Sequence, residues 1–190
     1  MWPWGHLAVG YMLYSLSQRV LTSERITGRE AVVLAVATQL PDLVDKPLAW
    51  SFSVFSSGYA IGHSVFVAVP VGIAALVVAF RRDRLGLGLA VTVGYWSHLF
   101  ADVMLAVVFG NRYTVSRVLW PAVALPGSNS RLGTFEQVRY YFGEFLELLA
   151  AGNPVVFIVF FGPLLLAAAL WIVDGAPVAR ELYEWVVDPR

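Results

Sequence analysis

Residues 85–109 read LGLGLAVTVGYWSHLFADVMLAVVF, with Asp102 the sole Asp, Glu, Lys or Arg and His98 four positions before it. A run this long and this apolar is a membrane-crossing α-helix, since about 20 such residues span the hydrocarbon core. Four-residue spacing stacks His98 and Asp102 on one helix face, where the two side chains can grip one ion together. An ionisable pair inside hydrocarbon is costly unless it finds a partner, so it marks a functional site by default.

Working outward, the tight charged turn Arg81-Arg82-Asp83-Arg84 links this run to a second apolar run over 59–80. Further candidate crossings lie at 4–21, 30–50 and 154–173. In the last, Asn153 is placed to cap the helix, Pro154 to open its first turn and Gly175 to follow its end. Pro41 and an acidic pair interrupt 30–50, so that segment either spans or turns back within the membrane. The rest of the chain agrees with a membrane protein: 58% of its 190 residues are apolar and only 14% charged, against roughly a quarter charged in soluble domains. Zero net charge gives no footing for nucleic acid. Absence of cysteine removes disulfides, thiolate catalysis and cysteine-ligated zinc. The first apolar stretch has no basic n-region or small-residue cleavage site, and is expected to be a retained helix.

All three histidines stand at or near the ends of these runs: His6 in Trp-Gly-His-Leu, His63 in Gly-His-Ser and His98 in Ser-His-Leu-Phe-Ala-Asp. Leu40-Pro41-Asp42-Leu43-Val44-Asp45 adds two carboxylates three apart, on roughly one side of a helical turn. Simple alternation of the crossings brings His6, Asp42, Asp45, His63, His98 and Asp102 to the same membrane face. The other face receives Arg19, Arg25, Arg29, Arg81, Arg82, Arg84, Arg180 and Arg190, which favours the cytoplasm there. The expected layout has the N-terminus and the site outside and the C-terminus cytoplasmic. Lys46, Arg112, Arg117, Arg131 and Arg139 fall on the outer side, mostly in a long loop. Arg112 and Arg117 could bind a phosphate head group there, although anchoring beside the membrane is the simpler account. Trp2, Trp4 and Trp50 suit the outer interface, Trp171 and Trp185 the inner one.

Within the long loop, Thr134-Phe-Glu-Gln137 has the form of a capping box. Beyond it Val138, Tyr141, Phe142, Phe145 and Leu149 recur at helical spacing, which predicts an amphipathic helix over 134–150 on the outer interface. The expected architecture is therefore an all-α, polytopic transmembrane bundle of about five segments plus that interfacial helix, forming one domain over 1–190. Imidazoles and carboxylates together suit a divalent metal: zinc first, manganese or iron as alternatives. Six candidates are more than one zinc takes, so one or two ions bind, or some of the six act as base or as outer contacts.

The order of these motifs, Gly5-His6-Leu7, Leu40-Pro41-Asp42-x-x-Asp45, Gly62-His63-Ser64 and Ser97-His98-x-x-x-Asp102, resembles the membrane-bound, metal-dependent hydrolases. This is the LexA-regulated inner-membrane group of bacteria, with archaeal relatives. The resemblance covers roughly residues 1–110 and implies that His6, Asp42, Asp45, His63, His98 and Asp102 are metal-binding or catalytic. The family's Leu-Pro-Asp-x-Asp is stretched here, and Gly58-Tyr59 stand where its fuller histidine motif would begin. The expected function is hydrolysis of an ester or phosphoester in a lipid or lipid-linked substrate entering sideways from the bilayer. Asp42 or Asp45 would serve as general base. The rival is a metal-ion or small-solute transporter, or a metal-handling membrane protein, using the same cluster. A third reading makes the cluster purely structural.

Overall fold

A computed structural model describes residues 1–21, 25–127 and 132–187 of the chain. Arg131 and Arg190, assigned above to opposite membrane faces, lie outside the described residues. The described regular structure is helical throughout: α1 (Pro3–Leu21), α2 (Gly28–Ala37), α3 (Leu40–Trp50), α4 (Val65–Phe80), α5 (Leu85–Val108), α6 (Thr134–Ala150), α7 (Pro154–Val173) and α8 (Ala179–Val187). A short 3-10 turn, Val115–Val118, sits in the long loop.

Helix α5 is the axis of the bundle, flanked by α1, α2 and α4, while α7 packs on the outside of α1. Small residues let these helices approach closely, as is usual where lipid removes the hydrophobic drive for association. Gly94 is the clearest case: a Cβ there would lie 3.0 Å from the Leu34 carbonyl oxygen and 2.7 Å from Ala37 Cβ. Outward, α4 and α7 present Ile73, Val78, Ile158, Leu165, Leu166 and Ile172 to the surroundings, an apolar surface far larger than a soluble monomer exposes. Of the five expected crossings, α5 and α7 have the length and apolarity to span a bilayer. Helix α4 is apolar but shorter, at 16 residues, and α1 falls short of that apolarity.

The segment over 30–50 is not one helix. It breaks at Thr38 and Gln39 between α2 and α3. The cause is Pro41: in a continuous helix its ring would strike the carbonyl four residues back, at Ala37, where α2 ends. The start of α2 is fixed by a capping box, with Thr27 accepting from Glu30 N and Glu30 accepting from Thr27 N.

The amphipathic helix forms over the expected range, but its capping differs. Gly133 is the N-cap residue, and Thr134 already belongs to the helix. Ser51, just beyond the end of α3, supplies the missing acceptor for Thr134 N at 3.1 Å. A capping box needs its hydroxyl on the residue before the first turn, and here that residue has no side chain. Phe145 is buried with Val156 and Phe160 and with the stacked pair Trp2 and Trp4, while Tyr141 lies against Trp50. Thus α6 is pinned to the same end of the bundle as the start of α1.

Asn153 caps α7 as read from the sequence, accepting from Val155 N at 2.9 Å. At the far end of α7, Asp174 receives Tyr11 Oη at 2.9 Å, Ser15 Oγ at 2.7 Å and Arg19 Nη2 at 2.6 Å. These three donors are one turn apart along α1, so a single carboxylate fastens α7 to it. Asp174→Ala should lower the thermal midpoint of the protein in detergent by the equivalent of about 1–3 kcal/mol. An unchanged melting curve would show that the clasp is not what holds α7.

Candidate metal centre

The break in 30–50 is where the site begins. At the end of α2, the Thr38 carbonyl accepts from His98 Nδ1 at 2.6 Å. One turn into α3, Asp42 and Asp45 point to different places. Asp45 is fully buried and accepts four hydrogen bonds: from Ala60 N at 2.7 Å, Gly62 N at 2.8 Å, His63 N at 3.0 Å and His63 Nδ1 at 2.8 Å. That carboxylate folds the loop before α4 around itself and sets the His63 ring. Gly62 is required in this turn, because a Cβ would lie 2.8 Å from the Pro41 carbonyl oxygen. Tyr95 of α5 ties the loop down, donating to the Gly62 carbonyl at 2.7 Å.

Both ring orientations follow from these contacts. A carbonyl and a carboxylate only accept, so His98 and His63 each carry their proton on Nδ1. When both rings are neutral, their Nε2 lone pairs face one another, 3.1 Å apart. Two neutral imidazoles opposed in this way repel unless a cation lies between them. Two carboxylates complete the group. Asp42 Oδ1 is 3.4 Å from His63 Nε2 and 3.6 Å from His98 Nε2; Asp102 Oδ2 is 3.5 Å and 3.7 Å from the same atoms. One donor atom from each of Asp42, His63, His98 and Asp102 lies within 4.8 Å of the others, and all four residues are buried. Tetrahedral ligands about 2.0–2.1 Å from an ion are separated by about 3.3 Å, so the donor set fits a divalent cation. Asp42 Oδ1, among the described residues, makes no hydrogen bond, an open acceptor that buried carboxylates rarely leave. The centre also has its outer supports, a carboxylate behind one imidazole and a backbone carbonyl behind the other, as metal-binding histidines ordinarily do.

His6 completes the cluster from α1. Its ring stacks on His98 with centroids 3.6 Å apart, and its Nε2 is 3.4 Å from Asp102 Oδ1. Neither of its nitrogens makes a hydrogen bond among the described residues, although the ring is fully buried. The Met1 nitrogen lies 2.5 Å from the same Asp102 oxygen. Asp102 therefore faces His63 and His98 with one oxygen, His6 with the other.

All six residues singled out in the sequence converge on this spot, in unlike positions. Asp42, His63, His98 and Asp102 share the donor group, Asp45 stands behind His63, and His6 flanks the group against His98. Other residues that shape the site gave little signal. Lys46 pairs with Asp42 rather than Asp45, a partnership that their four-residue spacing could have indicated. The Tyr59 ring packs edge-on with His63, centroids 4.8 Å apart, and its hydroxyl accepts a hydrogen bond from Arg117 Nη1 at 2.5 Å. Ser64 is the N-cap of α4 and donates to the Trp120 carbonyl at 2.5 Å, so its hydroxyl is turned away from the histidines.

Residues 1–176 match the family model described as YdjM inner membrane protein. The chain belongs to that family. The matched range holds the whole His/Asp cluster and every helix from α1 to α7, leaving α8 beyond it. A YdjM family assignment and two bilayer-length apolar helices together place the protein in the membrane. No curated protein and no solved structure matches the chain.

Proposed function

We propose that this YdjM-family chain is a metal-dependent hydrolase acting on an ester or phosphoester of a lipid or lipid-linked substrate at the outer membrane face. The observation that carries the reading is the pair of imidazole Nε2 atoms opposed at 3.1 Å between two buried carboxylates. Asp42, His63, His98 and Asp102 would hold one divalent ion, zinc by the chemistry of the donors. Such an ion supplies Lewis acidity and a water that is nucleophilic near neutral pH. Asp45 has no oxygen free for proton transfer, its four hydrogen bonds being spent on the loop and His63. His6 suits that task better, as a buried imidazole with both nitrogens unbonded and Asp102 Oδ1 beside it to stabilise the protonated ring. His6 takes a proton from the attacking water as the water oxygen bonds to phosphorus or the acyl carbon. The bond to the leaving oxygen breaks, and that oxygen takes the proton back.

Transport is less well supported. The inner end of the bundle has a cavity of about 650 Å³ lined by Gln18, Arg29, Glu30 and Arg84 among others. Between it and the cluster along the helices lies a buried, mainly apolar layer that includes Ala8, Leu34 and Ala90 together with Tyr11 and Tyr14. The arginine-rich turns at the opposite end support an outward-facing site. The test is elemental analysis of protein purified in mild detergent, followed by turnover of a phospholipid and phosphoester panel before and after chelation. About one ion per chain and chelator-sensitive release of product are expected. An ion that copurifies with no turnover on any member would end the hydrolase reading, and metal flux in proteoliposomes would replace it with transport.

A further inference from the structure

Two cations stand at the rim of the cluster, and neither is accounted for by the four-donor group. Lys46 is one turn beyond Asp42 on α3, and its stem passes the Trp50 ring, with Nζ 5.7 Å from the ring centroid. Its ammonium bonds to Asp42 Oδ2, leaving two of its three donors for another acceptor. Arg117 comes from the 3-10 turn in the long loop. Its Nε donates to the Tyr113 carbonyl at 2.7 Å, Nη1 to Tyr59 Oη at 2.5 Å, and its guanidinium lies over the Tyr59 ring at 4.7 Å. The same ring touches His63, so the guanidinium is held one aromatic ring away from a donor of the centre. The loop before α4 is already held by Asp45 and Tyr95.

Charge points to what they serve. Asp42, Asp45 and Asp102 balance Lys46, Arg117 and the Met1 ammonium, so one divalent ion would turn the centre net positive. A buried site of net positive charge prefers an anion to a neutral molecule. Lys and Arg are the side chains that take phosphoryl oxygens, as a point charge and as a fork.

We infer that Lys46 and Arg117 seat the non-bridging oxygens of a phosphoester, so that the site takes phosphoesters in preference to neutral carboxylic esters. This rests on the metal-dependent hydrolase reading above. In it, Asp42 has two duties: one oxygen faces the histidines and the other positions the Lys46 ammonium beside the reacting group. Neither cation takes part in proton transfer; both are substrate-binding residues.

The test separates the two readings by measuring metal content and ligand binding independently. Wild type, Lys46→Met and Arg117→Met are purified in detergent with their metal, and ion content is measured. Each is then titrated calorimetrically with inorganic phosphate, with glycerol 3-phosphate and with a short-chain phosphatidic acid. Lys46→Arg and Arg117→Lys restore charge and control for folding. The expected result is unchanged ion content, phosphate binding by the wild type, at least tenfold weaker binding by each methionine variant, and recovery in the charge-restoring pair. Phosphatidic acid binding tighter than glycerol 3-phosphate identifies a lipid as the source of the phosphoryl group; the reverse order identifies a soluble phosphoester. A loaded wild type that ignores all three ligands, or methionine variants that bind them as well as the wild type, would overturn the assignment while leaving the metal centre intact. A wild type that holds no ion would remove the metal reading and this one with it.

Discussion

Replacing His98 with alanine should strip the protein of its ion. The imidazole supplies one of four donors, and its Nδ1 is anchored to the Thr38 carbonyl, so the substitution removes a ligand and leaves a buried acceptor unpaired. Losing an outer contact to a metal ligand already costs about 10- to 100-fold in affinity; losing the ligand itself should exceed that range. Elemental analysis should find the ion at about one per chain in the wild type and near zero in the variant. Thermal melts give a second readout. An ion held at 100 times its dissociation constant adds about 2.7 kcal/mol to the folded state, so chelation should lower the wild-type midpoint by several degrees and leave His98→Ala unmoved. If both proteins melt alike with and without chelator, the cluster is structural and binds nothing.

Asp45→Ala should be the most damaging single change for stability. Four donors converge on this carboxylate, three of them backbone N–H groups of one loop, at a position with no solvent exposure. Each buried donor left unpaired costs about 1–3 kcal/mol, so the loss is on the order of the whole stability of a small domain. The expected outcome is a protein that aggregates on extraction or melts far below the wild type. Asp45→Asn is the finer probe: the amide keeps the shape and one accepting oxygen, but its nitrogen faces N–H groups. With its oxygen on the side of His63 Nδ1 and its nitrogen toward Gly62 N, it should fold, melt lower and hold an ion more weakly, because a neutral amide is a weaker acceptor behind His63 than a carboxylate. An alanine variant with wild-type melting and full ion content would show that the loop is held by something other than Asp45.

The contrast between these two carboxylates marks how far the sequence could be read. The pair His98 and Asp102 was legible because four-residue spacing inside an unmistakable helix leaves little freedom. Asp42 and Asp45 were read as facing together, yet three positions in a helix leave side chains about 60° apart, and His63 lies between them and takes one on each nitrogen. Pro41 marked a disturbance in 30–50, but whether a chain kinks, spans or breaks depends on what receives the freed carbonyls. Here His98 receives one. The partners missed are mostly backbone groups, the Thr38 carbonyl and the N–H groups of 60–63, which have no residue type to announce them. The same holds for the capping of α6, where the acceptor comes from Ser51, far away in the chain. Hydropathy alone does not separate the five expected crossings: α5 and α7 have the length and apolarity of spans, whereas α1 turns His6, Ser15 and Gln18 inward and the 30–50 segment is two helices.

The apolar layer of Ala8, Leu34 and Ala90 beneath the cluster has a physiological corollary. If the centre holds the proposed ion, an ion on one side of that layer would exchange with the compartment nearer to it. Occupancy would then track metal abundance in that compartment, and buffering or starvation across the bilayer would leave the loaded fraction untouched.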